Sequence, residues 1–365
     1  MSLVGMTMPM TRVFDNRVEA GRALPFALVP KCYARVVPIG LEEKVAYLRG
    51  LCGAGDEAIE THFAWVFLVG ERALKLRKPV RRDTMDYGTL AARRTDSDDE
   101  VRLNRRLAPD VYLRTVALVV DAAGRFSIGG VGETVDWLVE MRRLDRRWML
   151  DAALERGDAD TNSLARVADL LARFYSTAAP AITEPGLFRQ RLQTQVDANH
   201  LVLSTLDADR AALLASRQHS LLNGLEPELD RRAGRGCIVE AHGDLRPEHI
   251  LLSDPPAVID CLEFDRNLRI LDRAEELCFL ELECARLGHA PVGRWLLEEC
   301  LRRLSDDAPR MLLDFYRGHR SATRAKLYTW RAGEPDGGTP KEWRARAAQY
   351  LAIALDATTE ASRSR

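Results

Sequence analysis

The stretch of sequence that decides the fold is residues 242–249, His242-Gly-Asp244-Leu-Arg-Pro-Glu-His249. It places two imidazoles and two carboxylates within eight residues, directly after the apolar run 237–241. An aspartate at a turn is often only a hydrogen-bonding loop residue. A second aspartate, Asp260, follows the next apolar segments, and the combination favours a chemical role over a structural one.

The residues after His249 predict a small hairpin. Two apolar segments, 250–252 and 257–259, flank the turn 253–256, which reads Ser-Asp-Pro-Pro. Short apolar runs around a four-residue turn are typical of two antiparallel strands. If Leu252 and Ala257 close the turn, His249 faces Asp260 at the open end. The register therefore predicts an imidazole and a carboxylate side by side, with Asp244 in the preceding loop.

This cluster suits phosphoryl-transfer chemistry. Mg²⁺ takes few protein carboxylates and completes its octahedron with water and substrate phosphates, so Asp260 is the candidate metal ligand. A carboxylate that orients the attacking hydroxyl is also needed, and Asp244 is the candidate base. For His249 the residues leave two interpretations open, a metal ligand or a structural histidine hydrogen-bonded within the hairpin.

Outward from this loop, strands dominate the first part of the chain and helices the second. Residues 64–69 and 73–77 flank Gly70-Glu71, a pattern that predicts a tight hairpin. In its second strand Leu74 and Leu76 face one way and Lys75 the other. Beyond Arg142 apolar residues recur at helical spacing, with the 237–260 segment as the one strand-rich interruption.

The loop, with Val258-Ile-Asp260, resembles the catalytic loop and metal-binding aspartate of the aminoglycoside phosphotransferase group, relatives of protein kinases and choline kinases. The resemblance covers roughly residues 42–328. It implies an α+β, bilobal, protein-kinase-like fold with a small strand-rich N-lobe, residues 36–141, and a large helical C-lobe, residues 142–365. Residues 1–35 are expected to form an N-terminal arm or tail.

The resemblance also implies site residues by position. Lys75 is expected to bind the nucleotide phosphates, and Glu100 is expected to pair with Lys75. The stretch Val139-Glu140-Met141 corresponds to the family's hinge, whose backbone bonds adenine, and His242 is grouped with the nucleotide-binding residues. Asp272 matches a family aspartate that braces the catalytic loop. The expected ligands are ATP and Mg²⁺, with Mn²⁺ possible.

Two departures from the family pattern bear on activity. His249 stands where the family has asparagine, and imidazole suits Mg²⁺ less well than an oxygen ligand. The glycine-rich loop G-x-G-x-x-G is missing from the first hairpin. In the bacterial subgroup that this chain resembles most, the kinase-like unit is often fused to a P-loop domain, and the expectation from the missing G-x-x-x-x-G-K-[ST] is that this domain is absent.

Composition narrows the partners. Lys and Arg total 53 and Asp and Glu total 54, so no net positive charge favours a nucleic acid. No apolar run approaches the roughly 20 residues that span a bilayer, so no membrane partner is expected. Seven cysteines without a C-x-x-C pair are typical of a reducing compartment, and the expected location is cytoplasmic. The sequence does not decide the oligomeric state.

The sequence therefore predicts an ATP-dependent phosphotransferase that moves the γ-phosphate to a hydroxyl of an unidentified small molecule or protein. Two alternatives stay open. One is an inactive, nucleotide-binding pseudokinase, which His249 would explain. The other is a metal-dependent hydrolase with His242, Asp244, His249 and Asp260 as ligands, which leaves Lys75 and Glu100 unexplained.

Overall fold

Strands occupy the first third of the chain and helices most of the remainder, so the predicted α+β class with a strand-rich lobe first is confirmed. The computed structural model describes residues 39–82, 85–333 and 339–363. The predicted arm, residues 1–35, lies outside the described residues. The structured unit discussed below begins at Gly40.

The strand-rich lobe is built on a six-stranded antiparallel sheet with the order β1-β2-β3-β8-β6-β7, and β4 and β5 form a separate pair. Its strands are β1 (Ala58–Glu60), β2 (Ala64–Val69), β3 (Arg72–Arg77), β4 (Arg81–Arg82), β5 (Met85–Asp86), β6 (Tyr112–Val120), β7 (Phe126–Ile128) and β8 (Glu133–Arg142). Two helices accompany them, α1 (Leu41–Arg49) and α2 (Leu90–Asn104).

Alternation along β3 divides its side chains between two faces of the sheet. Leu74 and Leu76 are buried in a core with Leu48 of α1. Lys75 points to the other face, where it meets α2. The hairpin turn at Gly70 joins Val69 to Arg72 as expected, and Gly70 has a φ of 54°, which a glycine adopts without strain.

Eight further helices and one more long C-terminal helix make up most of the second lobe. They are α3 (Leu150–Arg156), α4 (Thr161–Thr177), α5 (Leu187–Leu203), α6 (Ala208–Gly224), α7 (Glu226–Gly234), α8 (Arg273–Arg286), α9 (Ala290–Arg303), α10 (Arg310–Arg331) and α11 (Pro340–Arg363). Four short strands lie between α7 and α8: β9 (Ile238–Glu240), β10 (Ile250–Leu251), β11 (Ala257–Val258) and β12 (Ile270–Asp272). The segment 190–214, which reads as one continuous helical pattern, is two helices because Asp207 caps a new one by accepting the Arg210 N–H.

The two lobes share a buried apolar cluster. Val101 of α2, Tyr112 of β6 and Val139 of β8 pack with Leu251 and Ala257 of the β10–β11 hairpin. Because this cluster joins the sheet to the hairpin, it fixes the polar hairpin directly beneath the strand-rich lobe. Among the helices of the described ranges, none has the length and apolar content needed to cross a membrane.

Candidate active site

The 242–249 loop begins where β9 leaves its partner β12. Gly243 has a φ of 93°, in the left-handed region that favours glycine. A Cβ at this position would lie 3.0 Å from the Leu262 side chain. The glycine of the motif is therefore required both by backbone conformation and by the close approach of the 260–265 segment.

Glu276, in the first turn of α8, braces this loop. Its carboxylate accepts hydrogen bonds from the backbone N–H groups of His242, at 2.9 Å, and Gly243. The Tyr175 hydroxyl donates a third bond to it at 2.6 Å. Sequence reasoning named Glu276 only as a possible support for the loop, and the structure shows that it performs this role.

The prediction that Asp272 braces the loop is wrong. Its carboxylate caps α8 and pairs with the buried Arg232 guanidinium at 2.5 and 2.6 Å. The Tyr316 hydroxyl donates to it at 2.9 Å. All of its acceptor capacity is directed away from the loop, and Glu276, one helical turn later, takes the position that faces the loop.

The candidate base, Asp244, is paired with a cation from its own loop. Arg246 donates to Asp244 Oδ2 from Nε at 3.0 Å and reaches Glu248 Oε1 from Nη1 at 2.5 Å. Burial opposes ionisation of Asp244, but the charge of Arg246, aided by His249 and Arg324, outweighs it and lowers the pKa of Asp244. Asp244 is therefore an ionised carboxylate at neutral pH.

His249 is hydrogen-bonded at both ring nitrogens. Its Nδ1 lies 2.8 Å from the backbone carbonyl of Asp244, which can only accept, so Nδ1 carries the proton. Its Nε2 lies 3.0 Å from Arg246 Nη2, which can only donate, and 3.5 Å from Asp260 Oδ2. The ring is thus a neutral imidazole whose lone pair is engaged by a guanidinium, an arrangement that agrees with the structural interpretation.

The predicted register of the hairpin is wrong by one residue. Ile250 pairs with Val258 and Leu251 with Ala257, so the strands close one residue earlier than expected. The reason is that Leu252 N–H donates to the Trp148 carbonyl at 2.8 Å instead of pairing across the turn. His249 and Asp260 still meet, because Asp260 leaves the strand with a φ of 61°.

Asp260 lies at the junction of the two lobes. Its N–H donates to the Tyr112 hydroxyl of β6 at 3.1 Å, and half of its side-chain surface is exposed. Although burial opposes ionisation, the Lys75 ammonium and the neighbouring His249 hold the pKa of Asp260 well below its usual range. A left-handed backbone at a non-glycine residue is costly, and such conformations cluster at functional sites.

Lys75 and Glu100 form the ion pair that sequence reasoning expected. Lys75 Nζ lies 2.8 Å from Glu100 Oε1 and 3.6 Å from Asp260 Oδ1. Burial opposes the charged form of Lys75, but Glu100 and then Asp260 raise its pKa above the ordinary value. The pair therefore holds a permanent cation beside the exposed carboxylate of Asp260.

His242 does not face the open site. Its ring is buried, with Nε2 2.9 Å from the Ile259 carbonyl and Nδ1 3.3 Å from the Asp244 N–H. Burial lowers the pKa of His242 to about 4, so the ring is neutral. Its contacts tie the loop to the strand that leads into Asp260, and they place it outside the nucleotide-binding group in which sequence reasoning put it.

The structure also places Glu140 and Met141 differently from a hinge with open backbone groups. Both lie inside β8, where their backbones pair with β3 on one side and β6 on the other. The Glu140 side chain binds Arg114 Nε at 2.7 Å. The chain leaves the sheet only after Arg142, so the connection between the lobes begins at Arg143.

A hard cation fits this site through one residue. Asp260 offers a half-exposed carboxylate beside a cationic lysine, which suits Mg²⁺ bound mainly by water and nucleotide phosphates. His249 fits less well, since its lone pair faces Arg246. In the described ranges no group of three or more His, Cys, Asp or Glu side chains is placed to hold a metal by itself.

Sequence reasoning missed several charged residues of the site. Arg77, two residues after Lys75, binds Glu100 Oε2 at 2.5 Å, and Arg320 of α10 donates to the Gly243 carbonyl at 3.0 Å. Arg246 lies within the motif itself but was given no role. The only available signal was the motif spacing for Arg246, because the other contacts join elements far apart in the chain.

Solved structures share this two-lobed arrangement of sheet, loop and helices. Aminoglycoside 2′-phosphotransferase-IIIa, solved as its GDP complex, is 15% identical with a TM-score of 0.52, over 82% of this chain and 92% of that one. The chain has the kinase-like fold. Choline kinase from Cryptosporidium parvum shares it, with 12% identity and a TM-score of 0.51 over 86% of this chain and 94% of that one.

Curated relatives of this kinase-like chain come from mycobacteria. Uncharacterised proteins of Mycobacterium bovis and Mycobacterium tuberculosis are 33% identical to it over 302 residues, which is 81% of this chain and 58% of theirs. The chain therefore spans less than two thirds of the length of the relatives it matches. No protein-family model matches the sequence.

Proposed function

We propose that the chain is an ATP-dependent phosphotransferase that transfers the γ-phosphate to a hydroxyl of a small molecule or protein. One observation carries the proposal: the Lys75–Glu100 pair of the first lobe lies 3.6 Å from Asp260, at the end of the hairpin that follows the Asp244 loop. A fixed cation, an exposed carboxylate and a candidate base are the groups that phosphoryl transfer requires.

In the proposed reaction, the Lys75 ammonium binds nucleotide phosphates and Asp260 holds the Mg²⁺ that neutralises their charge. Asp244 orients the acceptor hydroxyl and accepts its proton. The acceptor oxygen forms a bond to the γ-phosphorus while the bond from that phosphorus to the β-phosphate oxygen breaks, and ADP leaves. Arg246, 2.9 Å from Asp244, supplies a second cation where charge develops.

The proposal assigns nucleotide binding to residues 36–141 and the acceptor to the helical lobe, residues 142–365. It also places the reaction in the cytoplasm, since six described cysteines are free thiols and five of them are buried. The acceptor, a small molecule or a protein, is recognised by chemistry that neither the motif nor the fold specifies.

A nucleotide-binding module without transfer activity is the second candidate, and one observation favours it. Arg246 contacts both the candidate base and the His249 lone pair, so two groups that an active site would direct at substrate and metal are engaged with each other. The metal-dependent hydrolase has less support, because the His242 ring is directed at the Ile259 carbonyl rather than at the other three candidate ligands.

Phosphoryl transfer from γ-labelled ATP separates the first two candidates. Wild type and Asp244→Asn are incubated with MgATP and a cell metabolite extract, and labelled products are resolved by mass. The proposal predicts a labelled acceptor that requires Asp244. If wild type binds ATP but labels neither acceptor, itself nor water, the nucleotide-binding module is correct.

A further inference from the structure

A second cation of β3, Arg77, is enclosed by carboxylates from both lobes. Its side chain is 2% exposed and lies between Asp96 and Glu100 of α2 on one side and Glu263 on the other. Arg77 Nη2 is 2.5 Å from Glu100 Oε2 and 2.6 Å from Glu263 Oε1. One guanidinium therefore joins the Lys75 partner to a residue of the helical lobe.

Glu263 lies three residues after Asp260, in a segment that the first lobe holds by its backbone. The Asp260 N–H donates to the Tyr112 hydroxyl, and the Cys261 N–H donates to Asn104 Oδ1 at 2.9 Å. These two bonds are neutral, and the Arg77–Glu263 contact adds a charged one. Residues 260–263 are thus held against the strand-rich lobe by three side chains of that lobe.

The contact with Arg77 is needed to keep this cluster ionised. Burial raises the pKa of Glu263, and burial raises that of Asp96 to about 7, in each case against the opposing charge of Arg77. Breaking a buried ion pair from one side is strongly destabilising, because it leaves an uncompensated charge. The pair is therefore a specific, mutually dependent contact and not a loose surface interaction.

We propose that Arg77 and Glu263 form an interlobe ion pair that positions Asp260 relative to Lys75 before any nucleotide binds. The inference rests on the proposed function only in naming the nucleotide as the ligand. Arg77 is a positioning residue, since it acts through Glu100 and Glu263. Without the pair, the 260–263 segment separates from β3 and α2, and the cation and carboxylate of the site lose their fixed spacing.

Amide hydrogen exchange of peptides covering residues 258–265 tests the pair in nucleotide-free protein. Four proteins are compared: wild type, Arg77→Met, Glu263→Gln and the control Glu281→Gln. Glu281 makes an equally close ion pair with Arg317, at 2.7 and 2.9 Å, but within the helical lobe. We expect exchange at least about 10-fold faster in Glu263→Gln and Arg77→Met than in wild type, and no change in Glu281→Gln.

The second readout is the Kd of a non-hydrolysable MgATP analogue for the same proteins. We expect roughly a 10-fold weaker Kd in each of the two variants, and a double variant no weaker than either one, since the two residues act as a unit. Should Arg77→Met fail to fold, Glu263→Gln decides the question, because it removes one charge and retains the shape.

Unchanged exchange and an unchanged Kd in folded Glu263→Gln would overturn the pair's role. A lower melting temperature with wild-type exchange across 258–265 would also overturn it, since that outcome marks a purely structural contact. If wild type binds no nucleotide, the proposed function fails, and the exchange comparison still decides the ion pair by itself.

Discussion

The carboxylate of Glu276 accepts the backbone N–H groups of both His242 and Gly243 at the start of the 242–249 loop. A third donor, the Tyr175 hydroxyl, reaches it from α4. Because three donors converge on one buried carboxylate, the position of the loop depends on α8. The polar loop is therefore supported from below by the helical lobe and not by its own hairpin.

Removing this acceptor is expected to cost much of the protein's stability. Glu276→Ala leaves two buried N–H groups without partners, and we expect it to lower the free energy of unfolding by about 2–5 kcal/mol. Urea denaturation measures the change. Tyr175→Phe is the control, with an expected loss of about 1 kcal/mol, since it removes one donor and keeps the brace. A smaller loss for Glu276→Ala than for Tyr175→Phe would contradict the bracing role.

Asp244→Asn separates chemistry from binding. The amide cannot accept the acceptor's proton, so we expect phosphoryl transfer to fall about 10²–10⁴-fold. The nucleotide Kd should change less than about 3-fold, because Asp244 does not bind the phosphates. Asp265→Asn, which alters a capping carboxylate of a nearby short helix, is the matched control. Equal transfer rates in Asp244→Asn and wild type would show that Asp244 is not the base.

His249→Asn tests the residue at which this chain departs from the family pattern. An asparagine amide retains a donor for the Asp244 carbonyl and offers an oxygen, which Mg²⁺ prefers to imidazole nitrogen. We expect the ratio of nucleotide affinities in Mg²⁺ and Mn²⁺ to shift toward Mg²⁺ by at least about 3-fold. His289→Asn, at the start of α9, serves as the control. An unchanged ratio would mean that position 249 does not influence the metal.

Buried His242 makes stability depend on pH. Its folded-state pKa of about 4 lies below the ordinary histidine value, so between these two values the unfolded chain binds the extra proton and stability falls as the pH falls. At pH 5 this amounts to about 2 kcal/mol, since the ordinary pKa lies about 1.5 units higher and one unit is about 1.4 kcal/mol.

The measurement for His242 is the loss of unfolding free energy between pH 7.5 and pH 5. We expect His242→Gln to lose about 2 kcal/mol less than wild type over this interval. His219→Gln, at a partly exposed histidine, should lose as much as wild type. A parallel pH dependence in wild type and His242→Gln would show that the ring is not held neutral.

Local pattern was enough to predict the elements and the central motif. Strand alternation placed Lys75 on the face opposite Leu74 and Leu76, and motif order paired it with Glu100. The neighbouring position of His249 and Asp260 was also predicted, although the register used to argue it is wrong by one residue.

What sequence could not supply is the partner of each buried charge. Asp272 and Glu276 lie one helical turn apart, and only the direction of α8 decides which of them faces the loop. Arg77 and Glu263 carry no local signal, since their contact depends on how the two lobes meet. The hairpin register failed because Leu252 pairs outside the hairpin, with Trp148.

Nucleotide binding tests the central claim most directly. Calorimetric titration of MgATP into wild type, Lys75→Met and Asp260→Asn measures whether the interlobe cation and carboxylate form a phosphate and metal site, with Lys326→Met as a control at a lysine of α10. The account predicts metal-dependent binding that weakens at least about 10-fold in the first two variants and is unchanged in the control. No binding of ATP or GTP by wild type with either Mg²⁺ or Mn²⁺ would contradict it.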